Sequence, residues 1–175
     1  LKGNNKPIYQ STVRTMKHTD PVWQIRWNDD MNVKNLNFYS ISSDGRVTNW
    51  TLMKNKLEAE EVIKLRLVVD ENKGLVENKK DAFLYGLAGG MCFDFNKYQE
   101  HLFIVGTEEG KIHLCSKAYS GQYLETYEGH YLAVYAVKWN KYHPRVFLSC
   151  SADWTIKMWD MQITRPIMTF DMGYA

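Results

Sequence analysis

His130, Ser151 and Asp153 are the residue types of a nucleophilic hydrolase, in which a histidine takes the serine proton and a carboxylate orients the imidazole. The same set recurs at His18, Ser42 and Asp44, and each copy closes on a tryptophan, Trp50 or Trp159. An active site has no reason to be duplicated, whereas a hydrogen-bonded set inside a repeated unit is duplicated with the unit. The pattern therefore predicts two structural tetrads, His18–Ser42–Asp44–Trp50 and His130–Ser151–Asp153–Trp159, and no catalytic residue. Ser149, which shares a strand face with Ser151, is an alternative hydroxyl.

Two further motifs imitate chemistry. Gly106 to Ile112 resembles a phosphate loop, but that loop has four residues between its glycines and a Ser or Thr after the lysine. Here Gly106 and Gly110 are separated by Thr107, Glu108 and Glu109, and Ile112 follows Lys111. The two glutamates repel phosphate, so the stretch reads as a hairpin turn. His113 and Cys115 alternate onto one strand face, yet a structural zinc site needs four ligands and no second pair accompanies them. No cofactor and no metal is expected.

The bulk numbers agree with a binding module. Hydrophobic residues make up 45% of the 175 residues, enough for a packed core, and the net charge of +2 argues against a dedicated nucleic-acid surface. Cys92, Cys115 and Cys150 are scattered and odd in number, which reads as reduced thiols inside a cell. No apolar run of membrane-spanning length occurs. The ends lack a recognisable terminal element, as in a segment of a longer protein.

The elements that would position these residues repeat. Val22, Ile25 and Trp27 correspond to Gly90, Phe93 and Phe95, and to Val134, Val137 and Trp139. Acidic turn residues follow at Asp44, Glu109 and Asp153, and β-branched residues at Val47, Ile112 and Ile156. Glu109 and Asp153 are 44 positions apart, within the range of about 40–45 residues per propeller blade. Asp44 and Glu109 are 65 apart; part of the excess is a charged, turn-rich stretch at 70–81. Period-2 alternation with Asp-Gly and Glu-Gly turns gives strands and hairpins. The expected fold is all-β: a partial propeller of about three blades, at 16–69, 86–127 and 128–172, plus the start of a fourth. Val62–Val69 is the expected outer strand of the first blade, and Thr164–Met172 the expected start of the next strand. Trp23, Trp27 and Trp139 are expected in the core.

The middle copy departs from the pattern, with Gly86 in the histidine position and Cys115 in the tryptophan position, so its tetrad is not expected to form. Trp154 stands where the other two copies carry a turn glycine. A large ring on a turn is a candidate partner contact, as are the tyrosine-rich turns Tyr119–Tyr123 and Tyr142–Arg145.

The Gly129-His130, Ser151, Asp153 and Trp159-Asp160 pattern resembles the WD-repeat signature. FYSISSDGRVTNWTL at 38–52, VGTEEGKIHLCSKAYSGQYLETYEGH at 105–130 and WNKYHPRVFLSCSADWTIKMWD at 139–160 are similar to the intermediate chains of dynein, most of all the axonemal chains of the ciliary outer arm. The resemblance covers nearly the whole chain. It implies a non-catalytic scaffold in the cytoplasm, on the cytoskeleton of the ciliary axoneme, whose propeller grips the dynein heavy-chain tail within a microtubule-associated complex. It also implies a second intermediate chain alongside, and light chains bound through a region absent here. Neither nucleic acid nor membrane is an expected partner. Inner-arm and cytoplasmic intermediate chains, and general WD-repeat adaptors, are the alternative readings.

Overall fold

The computed structural model describes residues 5–29, 34–67 and 86–173. They form twelve antiparallel strands in three four-stranded sheets, each a meander in chain order. The first sheet comprises β1 (Val22–Trp27), β2 (Asn37–Ser42), β3 (Arg46–Leu52) and β4 (Leu57–Lys64). The second comprises β5 (Gly90–Phe95), β6 (Leu102–Thr107), β7 (Ile112–Ser116) and β8 (Glu125–Tyr127). The third comprises β9 (Val134–Trp139), β10 (Val146–Ser151), β11 (Thr155–Asp160) and β12 (Met168–Asp171). Among the described residues the only helical element is a 3-10 turn, Val13–Thr15.

The repeat is reproduced down to its irregularities. A register shift occurs at the same place in each leading strand, between Val22 and Gln24, between Gly90 and Cys92, and opposite Cys150 and Ser151. Such bulges bend a strand and increase its twist. β5 packs against β1 on one side and β9 on the other, so the first strand of every sheet lies innermost, as in a propeller.

Two apolar layers hold the sheets together. Tyr39, Ile41, Val47, Phe93, Phe103 and Cys115 fill the space between the first and second sheets. Ile104, Leu114, Tyr127, Val137, Phe147 and Trp159 fill that between the second and third. The middle sheet is therefore covered on both faces, and β6 and β7 are buried along their whole length. The outer sheets each keep one face open.

That difference corrects one expectation. Trp139 is 7% exposed, but its counterpart Trp27 is 57% exposed, and Trp23 is exposed as well. Both Trp27 and Trp139 meet a phenylalanine of the next strand edge-on, Phe38 at 5.4 Å and Phe147 at 5.3 Å. Their own sheets treat them alike. Trp139 is also covered by the preceding sheet, where its indole N–H donates to the Asp94 carbonyl at 3.2 Å; no sheet precedes Trp27 among the described residues.

Two strand expectations also shift. The outer strand of the first sheet begins at Leu57, before the apolar run at Val62, because Glu58 and Glu60 sit on an exposed edge that tolerates charge. Thr164–Met172 contains β12, which pairs with β11 and completes the third sheet; no fourth sheet begins among the described residues. The charged stretch 70–81 lies outside the described residues.

Candidate functional site

The hydroxyl beside each histidine is one pleat away from the expected one. His130 Nε2 is 2.7 Å from Ser149 Oγ, and His130 Nδ1 is 2.9 Å from Asp153 Oδ2. The Trp159 indole N–H donates to the same Ser149 Oγ at 2.8 Å. The first sheet repeats the arrangement: His18 Nε2 to Ser40 Oγ at 2.7 Å, His18 Nδ1 to Asp44 at 2.9 Å, and Trp50 N–H to Ser40 Oγ at 2.7 Å. Ser42 and Ser151 are corrected out of the tetrads. Their hydroxyls donate to the carbonyls of Asp20 and Leu132 and accept the backbone N–H of Asp44 and Asp153, pinning the turn instead.

The physical reason is register. The tryptophan lies opposite Phe38 or Phe147, two residues before the serine that it reaches. Ser42 and Ser151 share that face but stand at the strand end, beyond the indole nitrogen. A single proton order satisfies each network: indole N–H to serine oxygen, serine O–H to imidazole Nε2, imidazole Nδ1–H to carboxylate.

These groups have the connectivity of a hydrolase triad but not its access. Ser149 is 2% exposed, and its oxygen carries both the indole and the imidazole. Nothing is left to face a substrate. Ser40 is buried in the same way beneath Trp50.

Electrostatics tighten both sets. Burial raises the Asp44 pKa, but Arg46, His18 and the backbone N–H groups of Thr19 and Arg46 outweigh it and hold the carboxyl at about 2. At Asp153, burial is likewise overcome by Thr155, His130 and two backbone amides, and the pKa lies well below the usual carboxylate range. Burial pushes the His130 pKa down, and the Asp153 bond only partly offsets it. Arg46 in the first sheet and Thr155 in the third thus brace the acid by different chemistry, a pair of contacts that repeat matching does not reveal.

The middle sheet loses the network as a unit. Val105 occupies the position of Ser40 and Ser149, Cys115 that of the tryptophan, and Gly86 that of the histidine. Val105 and Cys115 are both fully buried in apolar surroundings. Removing all partners together avoids the cost of an orphaned buried polar group. Glu109 keeps one role of the turn acid, accepting the Gly89 N–H at 3.1 Å.

The other chemistry-like residues are packed. His113 stacks on Tyr123 with ring centroids 3.7 Å apart, bonds Thr126 at 3.0 Å, and is driven by burial to a pKa of about 3. Burial pushes the Cys115 thiol far above its usual value. Tyr123, expected at a turn surface, exchanges hydrogen bonds with the backbone of Arg66 and ties the second sheet to the first. Gly106–Ile112 is a β6–β7 hairpin with Gly110 at φ +85°. Trp154 holds the matching turn of the third sheet at φ +65° and is 66% exposed, with Tyr131, Leu132 and Tyr135 exposed nearby in the chain segment leading into and along β9.

Asp94 is a residue that the repeat pattern did not mark. It is a buried carboxylate on the innermost strand β5, paired with Arg26 of β1 and accepting the Trp139 backbone N–H of β9 at 2.7 Å. One side chain thereby joins the leading strands of all three sheets. A lone acid inside the apolar stretch GMCFDF was the available signal.

Comparison with known proteins follows the same lines. The WD domain, G-beta repeat family matches residues 121–160. Over 97% of its length the chain is 53% identical to dynein intermediate chain 2, ciliary, of Heliocidaris crassispina. It is 49% identical over 98% to dynein axonemal intermediate chain 1 of Rattus norvegicus, and 51% identical over 97% to the 78 kDa flagellar outer-arm dynein intermediate chain of Chlamydomonas reinhardtii. The chain spans about a quarter of the length of these curated relatives.

Proposed function

The chain belongs to the WD-repeat intermediate chains of axonemal dynein, and on that premise we propose that its blades are part of a non-catalytic scaffold that holds the tail of a dynein heavy chain during assembly of the ciliary outer arm. Its setting is the cytoskeleton of the ciliary axoneme. The observation that carries this reading is the near-complete alignment, at about half identity, with intermediate chains named for cilia and flagella.

The geometry supports the non-catalytic part. The serine, histidine and acid are duplicated, buried and saturated, which suits a rigid frame and not a reacting centre. A rigid frame presents loops without ordering cost, and permanent assemblies of this kind bury about 2,000 Å² or more. A second intermediate chain lies alongside in this reading, and light chains attach through a region outside the chain.

We assign Trp154 to the heavy-chain contact, because an indole held clear of its own sheet is the kind of anchor that dominates interfaces. The test uses the full-length protein in assembled outer arms. Trp154→Ala should reduce heavy chain recovered with the tagged subunit about tenfold or more, with folding intact by circular dichroism. Unchanged recovery removes Trp154 from the contact. Loss of the whole subunit should abolish arm assembly; assembled arms with slowed ATP turnover would contradict the scaffold role.

A further inference from the structure

The leading strands β1, β5 and β9 end on one side of the sheets, and an open cavity of about 820 Å³ lies among the turns that follow them. Each strand is followed by an asparagine, Asn28, Asn96 or Asn140, and all three line the cavity. This side is opposite the one carrying Trp154, since the second and third strands of each meander turn at the other end.

The rim is fixed before anything binds. Asn96 Nδ2 donates to the Pro144 carbonyl at 2.8 Å, and its Oδ1 accepts the N–H groups of Tyr98 and Gln99 at 2.8 and 3.0 Å. The Tyr98 hydroxyl donates to the Lys141 carbonyl at 3.0 Å. The turns of the second and third sheets are thus laced together, which removes much of the ordering cost of a later partner.

The lining is cationic on balance. Lys97, Lys117, Lys138, Lys141 and Arg26 surround the cavity. Of the carboxylates there, Asp94 is buried and already held by Arg26, by Lys138 at 3.9 Å and by the Trp139 N–H. Asp29 and Glu100 are the other two carboxylates, so the five cationic side chains of the lining exceed its three carboxylates by two. The Lys117 ammonium lies 4.5 Å from the Phe95 ring centroid, against the cavity wall.

We propose that this cavity is a docking site for an acidic, extended segment of a partner protein, its carboxylates reaching Lys97, Lys138 and Lys141. A preformed pocket with an excess of one sign of charge concentrates its counter-ion and steers association. The site stands apart from the Trp154 contact, and either can fail without the other.

The experiment measures binding of a fluorescein-labelled octaglutamate peptide to the purified full-length protein by anisotropy. Octaserine, inorganic phosphate and a single-stranded DNA 20-mer are competitors. Octaglutamate should bind and weaken as salt rises, and the Lys97→Glu/Lys141→Glu variant should weaken it at least about tenfold. Lys64→Glu, outside the cavity, should not. Circular dichroism and urea midpoints show whether the variant is folded; should the double reversal unfold, Lys97→Gln alone is the second variant, with an expected loss of about threefold. Equal affinity in the folded variants, no preference over octaserine, or equal competition by phosphate or DNA would each overturn the proposal.

Discussion

Gly110 and Trp154 hold the same turn position in successive sheets and the same left-handed conformation, φ +85° and +65°. At Gly110 the space is closed: an added Cβ would stand 2.7 Å from the His130 carbonyl and 2.9 Å from that of Leu132, in the segment leading to the next sheet. At Gly45 the corresponding approach is 2.8 Å to Leu87. Trp154 carries a full indole at this position, where the other two sheets leave no room for a Cβ.

Gly110→Ala should therefore destabilise the full-length protein by more than about 1 kcal/mol, since both the conformation and the clash oppose it. The clash moves His130 itself, a member of the network. Urea unfolding measures the loss; an unchanged midpoint would show that the junction is loose.

Trp154→Gly should act in the opposite direction. It relieves a strained non-glycine turn worth about 1 kcal/mol, and the midpoint should rise while heavy-chain recovery falls. A variant that loses stability instead would place the indole in packing within the blade.

Polar groups cannot be restored singly in the middle sheet. Val105→Ser buries a hydroxyl between Cys115 and the cross-strand His113, without the indole and the tetrad imidazole that hold the serine in the other sheets. The expected cost is about 1–3 kcal/mol, read from thermal unfolding. A neutral result would mean that water or the cross-strand His113 satisfies the new hydroxyl.

Acid should destabilise the protein in two stages of one sign. The His130 pKa is below its usual 6.5, so the unfolded state takes up that proton first, and stability falls as pH drops below 6.5. The Asp44 carboxyl titrates near 2, well below its usual 3.8, and Asp153 is lowered further; their contributions, complete above pH 3.8, disappear as pH falls toward 2. Urea midpoints at pH 7, 5 and 3.5 should decrease in that order, and Asp44→Asn should flatten the acid limb. A midpoint that rises on acidification would contradict the assignment.

The sequence made the sheets legible because alternation, hairpin glycines and the 44-residue spacing of Glu109 and Asp153 are local or periodic signals. His130, Asp153 and Trp159 could be named for the same reason. The choice of Ser149 over Ser151 could not be read from spacing, because both lie on one face and only the strand register brings one of them under the indole. The role of Asp94 is not encoded in its own repeat, because its partners, Arg26 and Trp139, come from two other sheets. The exposure of Trp27 has a related reason: burial of a leading strand depends on the sheet in front, which the residue's own repeat does not encode.

The serine–indole–imidazole set acts as a structural frame, and a double-mutant cycle on Ser149→Ala and Trp159→Phe in the full-length protein measures that role. Each single change should cost about 1–3 kcal/mol by urea unfolding, with a coupling of about 1 kcal/mol between them. Ser151→Ala with Trp159→Phe should show additivity within about 0.3–0.5 kcal/mol. Additive behaviour at Ser149, or coupling at Ser151 in its place, would contradict the network described.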